Sequence, residues 1–149
     1  MKKEDGFSLI ELVIVVSIIS CLTCIVIPSF HMFERAALKQ AALELKMNIQ
    51  YTQKRAIQDN KKYWLRFYDA QNVYIMSSNA FGPHLKKVQL SPEIKMEEIV
   101  FATPKEIKFT AKGTTGSGGH IYLKSKNFKV KITVRPGTGR VRIYDIFKG

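Results

Sequence analysis

The feature that most constrains this chain is an unbroken apolar segment near its start. From Phe7 to Phe30 there are 24 residues with one charged side chain, Glu11. At 1.5 Å per residue, a helix of this length crosses a hydrocarbon layer of about 30 Å. The segment therefore predicts a membrane-spanning helix rather than a buried core helix. Lys2 and Lys3 precede it, so the positive-inside rule predicts a cytoplasmic N-terminus and an exported remainder.

A short charged leader precedes the apolar segment, and the two meet at Gly6 and Phe7. A secretory signal peptide carries its cleavage site after the apolar region, whereas here the candidate site comes before it. Cleavage between Gly6 and Phe7 would therefore leave the helix attached to the exported protein. A carboxylate inside a span costs about 2.5 kcal/mol or more and normally has a partner, so Glu11 is a functional candidate.

The pattern Gly6-Phe7-Ser-Leu-Ile-Glu11-Leu resembles the class III signal of type IV prepilins and type II secretion pseudopilins. The resemblance implies that a prepilin peptidase cleaves between Gly6 and Phe7 and methylates the new amino group of Phe7. It implies that Glu11 meets the amino terminus of a neighbouring subunit and that Pro28 kinks the helix. The implied partners are other pilins or pseudopilins, the peptidase, an assembly platform protein and membrane lipid. The alternative for Glu11 is that it snorkels to the cytoplasmic interface.

Beyond the apolar segment the pattern becomes that of an amphipathic helix, so we expect one helix from about Phe7 to Gln58. Its apolar positions recur at steps of three, four or seven residues, and charged side chains occupy the other faces. The apolar positions are Phe30, Phe33, Ala37, Ala41, Leu45, Ile49 and Ala56. Asp59-Asn60 marks the expected end of the helix.

The rest of the chain has the short alternating segments that indicate β-strands. The predicted strands, eight as an upper count, are Lys62–Tyr68, Val73–Ser77, Leu85–Leu90, Ile94–Phe101, Glu106–Ala111, His120–Lys124, Phe128–Val134 and Arg140–Ile146. The expected fold class is α+β, with a long N-terminal α-helix, membrane-spanning in its first half, packed on a C-terminal antiparallel β-domain of pilin-like type. The expected organisation is a leader at 1–6, a transmembrane and assembly helix at 7–30, and an exported domain at 31–149, with its amphipathic helix at 31–58 and its β-domain at 61–149.

The C-terminal stretch contains a Gly-rich segment at 113–119, two predicted strands and the sequence Gly139-Arg-Val-Arg142. It resembles the GspH/FimT-type pseudopilin domain, and the layout, basicity and very short tail also resemble ComGD-type pseudopilins of bacterial competence systems. In FimT-like proteins the Gly-Arg-x-Arg segment is associated with DNA binding, which the resemblance carries over to Arg140 and Arg142. The Gly-rich segment lacks the lysine and serine or threonine of a phosphate-binding loop, so we interpret it as a hairpin loop.

Basicity is the strongest chemical signal of the exported part. The chain has 24 basic and 12 acidic side chains, and residues 120–149 contain eight basic side chains against one acidic one. Alternation along a strand turns Lys129, Lys131 and Arg135 away from the apolar positions, on a face that Arg140 and Arg142 would extend. Such a face predicts contact with the phosphates of double-stranded DNA. The alternative is a solvated face that supports solubility or pairs with acidic neighbours in a filament.

Two functions remain open. One is a minor pseudopilin of a competence pseudopilus that contributes to DNA uptake and binds DNA through its basic hairpin; the other is a purely structural minor pseudopilin of a type II secretion system or type IV pilus. Either would be a single-pass membrane protein that later joins a periplasmic or cell-surface filament. Catalysis is not expected, because His31, His84 and His120 are scattered. No cofactor or metal is expected, because Cys21 and Cys24 lie in a setting too dry for thiolates.

Overall fold

The structure is a computed structural model of the 149-residue chain, and it describes residues 8–79, 84–101, 105–116 and 118–149, apart from the side chains of 24–30. The chain forms two compact units, one ending at Glu34 and one spanning Arg35–Gly149. The predicted leader, Gly6 and Phe7 lie outside the described residues.

One α-helix, α1, spans Leu9–Gln58, which agrees with the predicted helix within two residues at its start. Its backbone is helical through Pro28, and the predicted kink at this residue stays a prediction. Within the described part of the chain, no helix has both the length and the apolar character needed to cross a membrane. The predicted span at 7–30 includes one residue and several side chains outside that part.

The second unit buries one face of α1. Ala41, Leu45 and Ile49 are buried as predicted, and so is Ala56. The expectation for Phe33 is wrong, since its side chain is 73% exposed. The buried stripe begins with Leu38 instead, because at 3.6 residues per turn Phe33 lies about 140° around the axis from Leu38. Ala42, Asn48 and Thr52 complete the buried face.

The strands that follow α1 number nine among the described residues, one more than the predicted upper count. They are β1 (Tyr63–Tyr68), β2 (Val73–Ser77), β3 (His84–Gln89), β4 (Lys95–Val100), β5 (Glu106–Phe109), β6 (Gly119–Lys124), β7 (Phe128–Val134), β8 (Val141–Ile143) and β9 (Phe147–Lys148). The additional strand, β9, is two residues long and pairs with the start of β7. Alternation predicts so short a segment poorly, because its place depends on pairing rather than on its own pattern.

The strands form two antiparallel sheets. The first sheet has the order β3-β2-β1-β5, and the second sheet has the order β4-β6-β7-β8 with β9 also beside β7. Leu38, Leu45, Ile107 and Ile132 are among the residues of one apolar core to which α1 and both sheets contribute. The observed architecture therefore confirms the predicted α+β class with an antiparallel β-domain on a long helix.

The interpretation of the Gly-rich segment as a hairpin loop is wrong. Its flanking strands do not pair with each other, since β5 pairs with β1 and β6 pairs with β4 and β7. The segment instead carries the chain from the first sheet to the second. Thr115, in its middle, forms bridges to both Phe109 and Gly137. The connection is therefore held by the elements on either side of it.

Candidate nucleic-acid interface

The predicted basic hairpin is formed by β7, β8 and the turn between them. Thr133 faces Arg142 and Val134 faces Val141 across the two strands. One step further, the N–H of Arg135 donates to the carbonyl oxygen of Arg140 at 3.0 Å. The alternation is as predicted, since the buried side chains of β7 are Phe128, Val130, Ile132 and Val134. The pairing places Arg135 directly opposite Arg140 on the other side of the hairpin.

The turn at 136–139 packs against the first sheet and α1. Gly139 has a φ of +66°, and a Cβ atom at this position would lie 2.6 Å from Cε1 of Phe109 in the first sheet. Gln53 of α1 donates through Nε2 to the carbonyl oxygens of Gly113 at 2.7 Å and Thr138 at 2.9 Å. The helix and the first sheet therefore fix the base from which the arginines project.

The turn also pairs with the Gly-rich connection. The N–H of Gly137 donates to the carbonyl oxygen of Thr115 at 2.7 Å, and the N–H of Thr115 donates to that of Gly137 at 3.2 Å. Sequence reasoning missed these contacts because the partners are far apart in the chain. The connection thus acts as a support for the hairpin turn.

The three arginines of the hairpin are exposed. Within the described ranges, no carboxylate lies at ion-pair distance from Arg135, Arg140 or Arg142. The guanidinium of Arg142 lies 5.3 Å from the ring centroid of Tyr144, which fits a cation–π contact. Like charges directly opposite each other destabilise a hairpin, so Arg135 and Arg140 form an uncompensated positive site that favours an anion.

The two lysines predicted on the same face differ from the arginines. Nζ of Lys129 lies 2.6 Å from Oε2 of Glu97, and Lys124 reaches the other oxygen at 3.7 Å. The hydrogen bond from Lys129 holds the pKa of Glu97 below its usual range. Nζ of Lys131 lies over the ring of Tyr122, 5.4 Å from its centroid. The structure therefore brings Lys129 and Lys131 to the predicted face, but Lys129 is already paired with a carboxylate.

Glu97 is the residue that sequence reasoning missed. It lies on β4, and β6 separates that strand from β7 in the second sheet. The only signal in the sequence was the presence of a carboxylate on a predicted strand, which says nothing about the lysines that it meets. Its effect is to reduce the free positive charge at one side of the basic face.

Two cations in or next to the first sheet are also paired with carboxylates. Nε of Arg66 lies 2.8 Å from Oε2 of Glu106, and Nζ of Lys105 lies 2.5 Å from Oδ2 of Asp69. The hydrogen bond from Lys105 lowers the pKa of Asp69. Arg66 and Lys105 therefore contribute less free positive charge than the sequence alone indicates.

The remaining predicted positions belong to the N-terminal unit. Glu11 is exposed in the first turn of α1, and its role in assembly stays a prediction. Cys21 is exposed and forms no disulfide with a described residue. In the part of the chain that the structure describes, no group of three or more His, Cys, Asp or Glu residues is placed to hold a metal ion.

Comparison with known proteins finds similarity in the N-terminal segment and over nearly the whole chain. Residues 1–26 match the family described as the prokaryotic N-terminal methylation motif. A motif of this prepilin type implies anchoring in a membrane. Competence protein ComGD of Bacillus subtilis is 28% identical over 145 residues, which cover 96% of this chain and 95% of that protein.

Solved structures share the fold. The type IV minor pilin FimU of Pseudomonas aeruginosa superimposes with a TM-score of 0.62 at 17% identity, covering 76% of this chain and 92% of FimU. The minor pseudopilin EpsH from the type 2 secretion system of Vibrio cholerae gives 0.59 at 12% identity, covering 72% and 95%. The chain therefore contains a prokaryotic N-terminal methylation motif, resembles ComGD over nearly its whole length and shares the fold of FimU and EpsH.

Proposed function

We propose that this protein is a minor pseudopilin of a competence pseudopilus and that it contributes to DNA uptake by binding DNA directly. The observation that carries the proposal is the facing pair Arg135 and Arg140, which has no carboxylate at ion-pair distance among the described residues. The similarity to a competence protein over nearly the whole chain supports the same role. The protein acts as a structural and binding subunit rather than as an enzyme.

The chemistry of the hairpin suits double-stranded DNA of any sequence. Arginine guanidinium groups donate paired hydrogen bonds to phosphate oxygens, and each phosphate that they neutralise releases condensed counterions. Arg135, Arg140 and Arg142 are the main phosphate contacts, and Lys131 adds a fourth. Lys129 contributes only when it leaves Glu97. Contacts of this kind position a protein on the duplex without reading bases.

Assembly depends on the N-terminal segment. A prepilin peptidase cleaves between Gly6 and Phe7 and methylates Phe7, after which an assembly platform protein moves the subunit from the lipid into the filament. Glu11 pairs with the amino terminus of a neighbouring pilin or pseudopilin, and Pro28 provides the kink. The N-terminus faces the cytoplasm before assembly, and the second unit is exported. The exposed position of Glu11 supports access to a neighbouring subunit.

DNA binding is tested with the full chain in nonionic detergent micelles and a fluorescent DNA duplex, measured by anisotropy across a salt series. We expect log affinity to fall linearly with log salt. The double substitution Arg140→Ala/Arg142→Ala removes two phosphate contacts, so the slope should decrease by about 1.8 and the affinity should fall at least about tenfold.

The matched control is Lys105→Ala/Lys108→Ala, which removes the same charge from the first sheet. It should leave the affinity within about twofold, because Lys105 is paired with Asp69 and Lys108 lies on β5 of the first sheet and not on the hairpin. Absence of binding by the folded parent chain, or equal losses in both double variants, would contradict direct DNA capture by the hairpin.

The second candidate is a purely structural minor pseudopilin of a type II secretion system or type IV pilus. The shared fold with FimU and EpsH favours it. Both candidates require Glu11 for assembly, so Glu11→Ala should permit membrane insertion and cleavage but reduce incorporation into filaments. Unchanged filament yield would exclude the registration role of Glu11 in either case.

A further inference from the structure

A cleft of about 560 Å³ lies between α1 and the edge strand β8. The helix contributes Arg35, Lys39 and Lys46 to its lining, and the strand side contributes Arg142 and Asp145. Four cations and one carboxylate therefore surround a single concave site. Only one of these four cations, Arg142, belongs to the hairpin.

The three helical cations follow one side of α1. Arg35 and Lys39 are one turn apart, and Lys39 and Lys46 are two turns apart. Two turns correspond to about 10.5 Å along the axis of α1, so the two lysines can reach different phosphates of one DNA strand. The spacing is therefore that of a row that can follow a phosphate backbone.

These cations are free to bind an anion. Among the residues that the structure describes, neither Lys39 nor Lys46 has a carboxylate at ion-pair distance. The guanidinium of Arg35 lies 4.4 Å from the ring centroid of Phe128, which orients it without neutralising its charge. Asp145 also lines the cleft without an ion pair in the described chain. The cleft is therefore positive on balance and contains one repulsive group for a phosphate.

The lining of the cleft also includes apolar side chains, with Leu43 from the helix and Val130 and Ile143 from the second sheet. Charges next to apolar groups interact more strongly than charges in bulk water, because the local dielectric constant is lower. A phosphate at this site would therefore be held more firmly than one on an open lysine surface.

We infer that this cleft is a second phosphate-binding subsite and that the path of DNA continues from the hairpin over the edge of the second sheet onto α1. Arg142 joins the two parts, because it lies two residues from Arg140 and also lines the cleft. Lys39 and Lys46 extend the path along the helix. The inference rests on the proposed function, since it requires that the chain bind DNA.

The test uses the full chain in nonionic detergent micelles with a 20-base-pair DNA duplex, measured by anisotropy across a salt series. Lys39→Ala/Lys46→Ala should lower the affinity about tenfold and reduce the salt slope by about 1.8. The matched control Lys54→Ala/Lys61→Ala removes the same charge at the end of the helix and beyond it, and should change the affinity less than about twofold.

Asp145→Asn provides a test of opposite sign. Removal of the carboxylate should raise the affinity about threefold, because a phosphate in the cleft no longer meets a negative charge. A gain of affinity cannot result from a variant that fails to fold. If phosphates never enter the cleft, Asp145→Asn should raise the affinity no more than Glu93→Gln, which removes one negative charge outside the cleft.

The outcomes separate this inference from the proposed function. If Lys39→Ala/Lys46→Ala matches its control while Arg140→Ala/Arg142→Ala still weakens binding, the cleft is not part of the DNA path and the hairpin remains the site. If the parent chain binds no DNA, both proposals are wrong. If affinity falls with the two lysines and rises with Asp145→Asn, the cleft is a phosphate subsite.

Discussion

Arg66 in the first sheet and the arginines of the hairpin in the second sheet differ in whether a carboxylate pairs with them. In the first sheet Arg66 is paired with Glu106 at 2.8 Å, whereas at the turn end of the second sheet Arg135 faces Arg140 with no carboxylate nearby in the described chain. Net charge alone does not distinguish these regions. The comparison shows that the pairing of each cation, rather than the number of cations, locates a surface that can bind an anion.

The hairpin arginines also differ from the first sheet in their support. A charged side chain that is paired with a neighbour is held by that pair, but a free one depends on the backbone beneath it. For the hairpin, this support comes from Gly139 packed on Phe109 and from the two hydrogen bonds that Gln53 donates. Each prediction below changes either the support or the pairing of a cation.

The largest expected effect comes from a substitution that disturbs the packing of the hairpin turn on the first sheet. Gly139→Ala forces a side chain into a φ of +66° and against Phe109, whereas Gly137→Ala meets the same type of backbone, with a φ of +78°, but open space. We expect Gly137→Ala to lower the free energy of unfolding by about 1–2 kcal/mol. Gly139→Ala should lower the free energy of unfolding by about 1–3 kcal/mol more than Gly137→Ala, because its side chain overpacks against Phe109.

Denaturant unfolding measures this difference, with Gly137→Ala as the control for backbone strain. DNA affinity of the folded protein should fall more for Gly139→Ala, because the turn that carries Arg135 and Arg140 must shift. Equal unfolding free energies for the two variants would show that the turn is not held against the first sheet.

A smaller effect is expected when a paired cation is released. Glu97→Gln removes the carboxylate that lies 2.6 Å from Lys129 and 3.7 Å from Lys124. Lys129 is then free to contact a phosphate, so DNA affinity should rise about threefold to tenfold and the salt slope should increase by about 1. The control is Glu93→Gln, which removes one negative charge from the segment before the same strand, and no ion pair of Glu93 is found in the described chain. An equal rise in both variants would mean that net charge alone governs binding.

The smallest effect is expected in the first sheet. Lys105→Ala breaks the pair with Asp69, which is exposed, so the free energy of unfolding should change by less than about 1 kcal/mol and DNA affinity by less than about twofold. The pKa of Asp69 is lowered in the folded state, so the pair stabilises the fold at neutral pH and this contribution is lost as pH falls through that pKa. Unfolding measured at neutral and acidic pH should show that Lys105→Ala reduces this dependence. A large loss of DNA affinity in Lys105→Ala would contradict the claim that a cation paired with a carboxylate contributes little to DNA binding.

Local patterns in the sequence predicted much of the fold. Residues 128–134 alternate so regularly that both the strand and its buried side were correct, and residues 73–77 matched the observed strand. The helix was also predicted nearly to its ends. These features depend on periodicity within one element, which a single sequence contains.

The remaining features depend on contacts between distant segments. The division into two sheets, the pairing of Thr115 with Gly137 and the hydrogen bonds from Gln53 join residues far apart in the chain. The same holds for the candidate site, where alternation gave the face of Lys129 but not its partner Glu97. Phe33 shows a related limit, because its step of four to Ala37 fits a helix without showing which positions the sheets cover.

The most direct test of DNA capture by the hairpin is made in cells whose pseudopilus incorporates this chain. DNA uptake and the amount of the subunit in filaments are measured together for the parent and for Arg140→Ala/Arg142→Ala. We predict that uptake falls at least tenfold while incorporation stays unchanged, because the exposed arginines contact DNA and not the core. Normal uptake with normal incorporation, or a loss of uptake that only follows a loss of incorporation, would contradict DNA binding by the hairpin and favour a purely structural subunit.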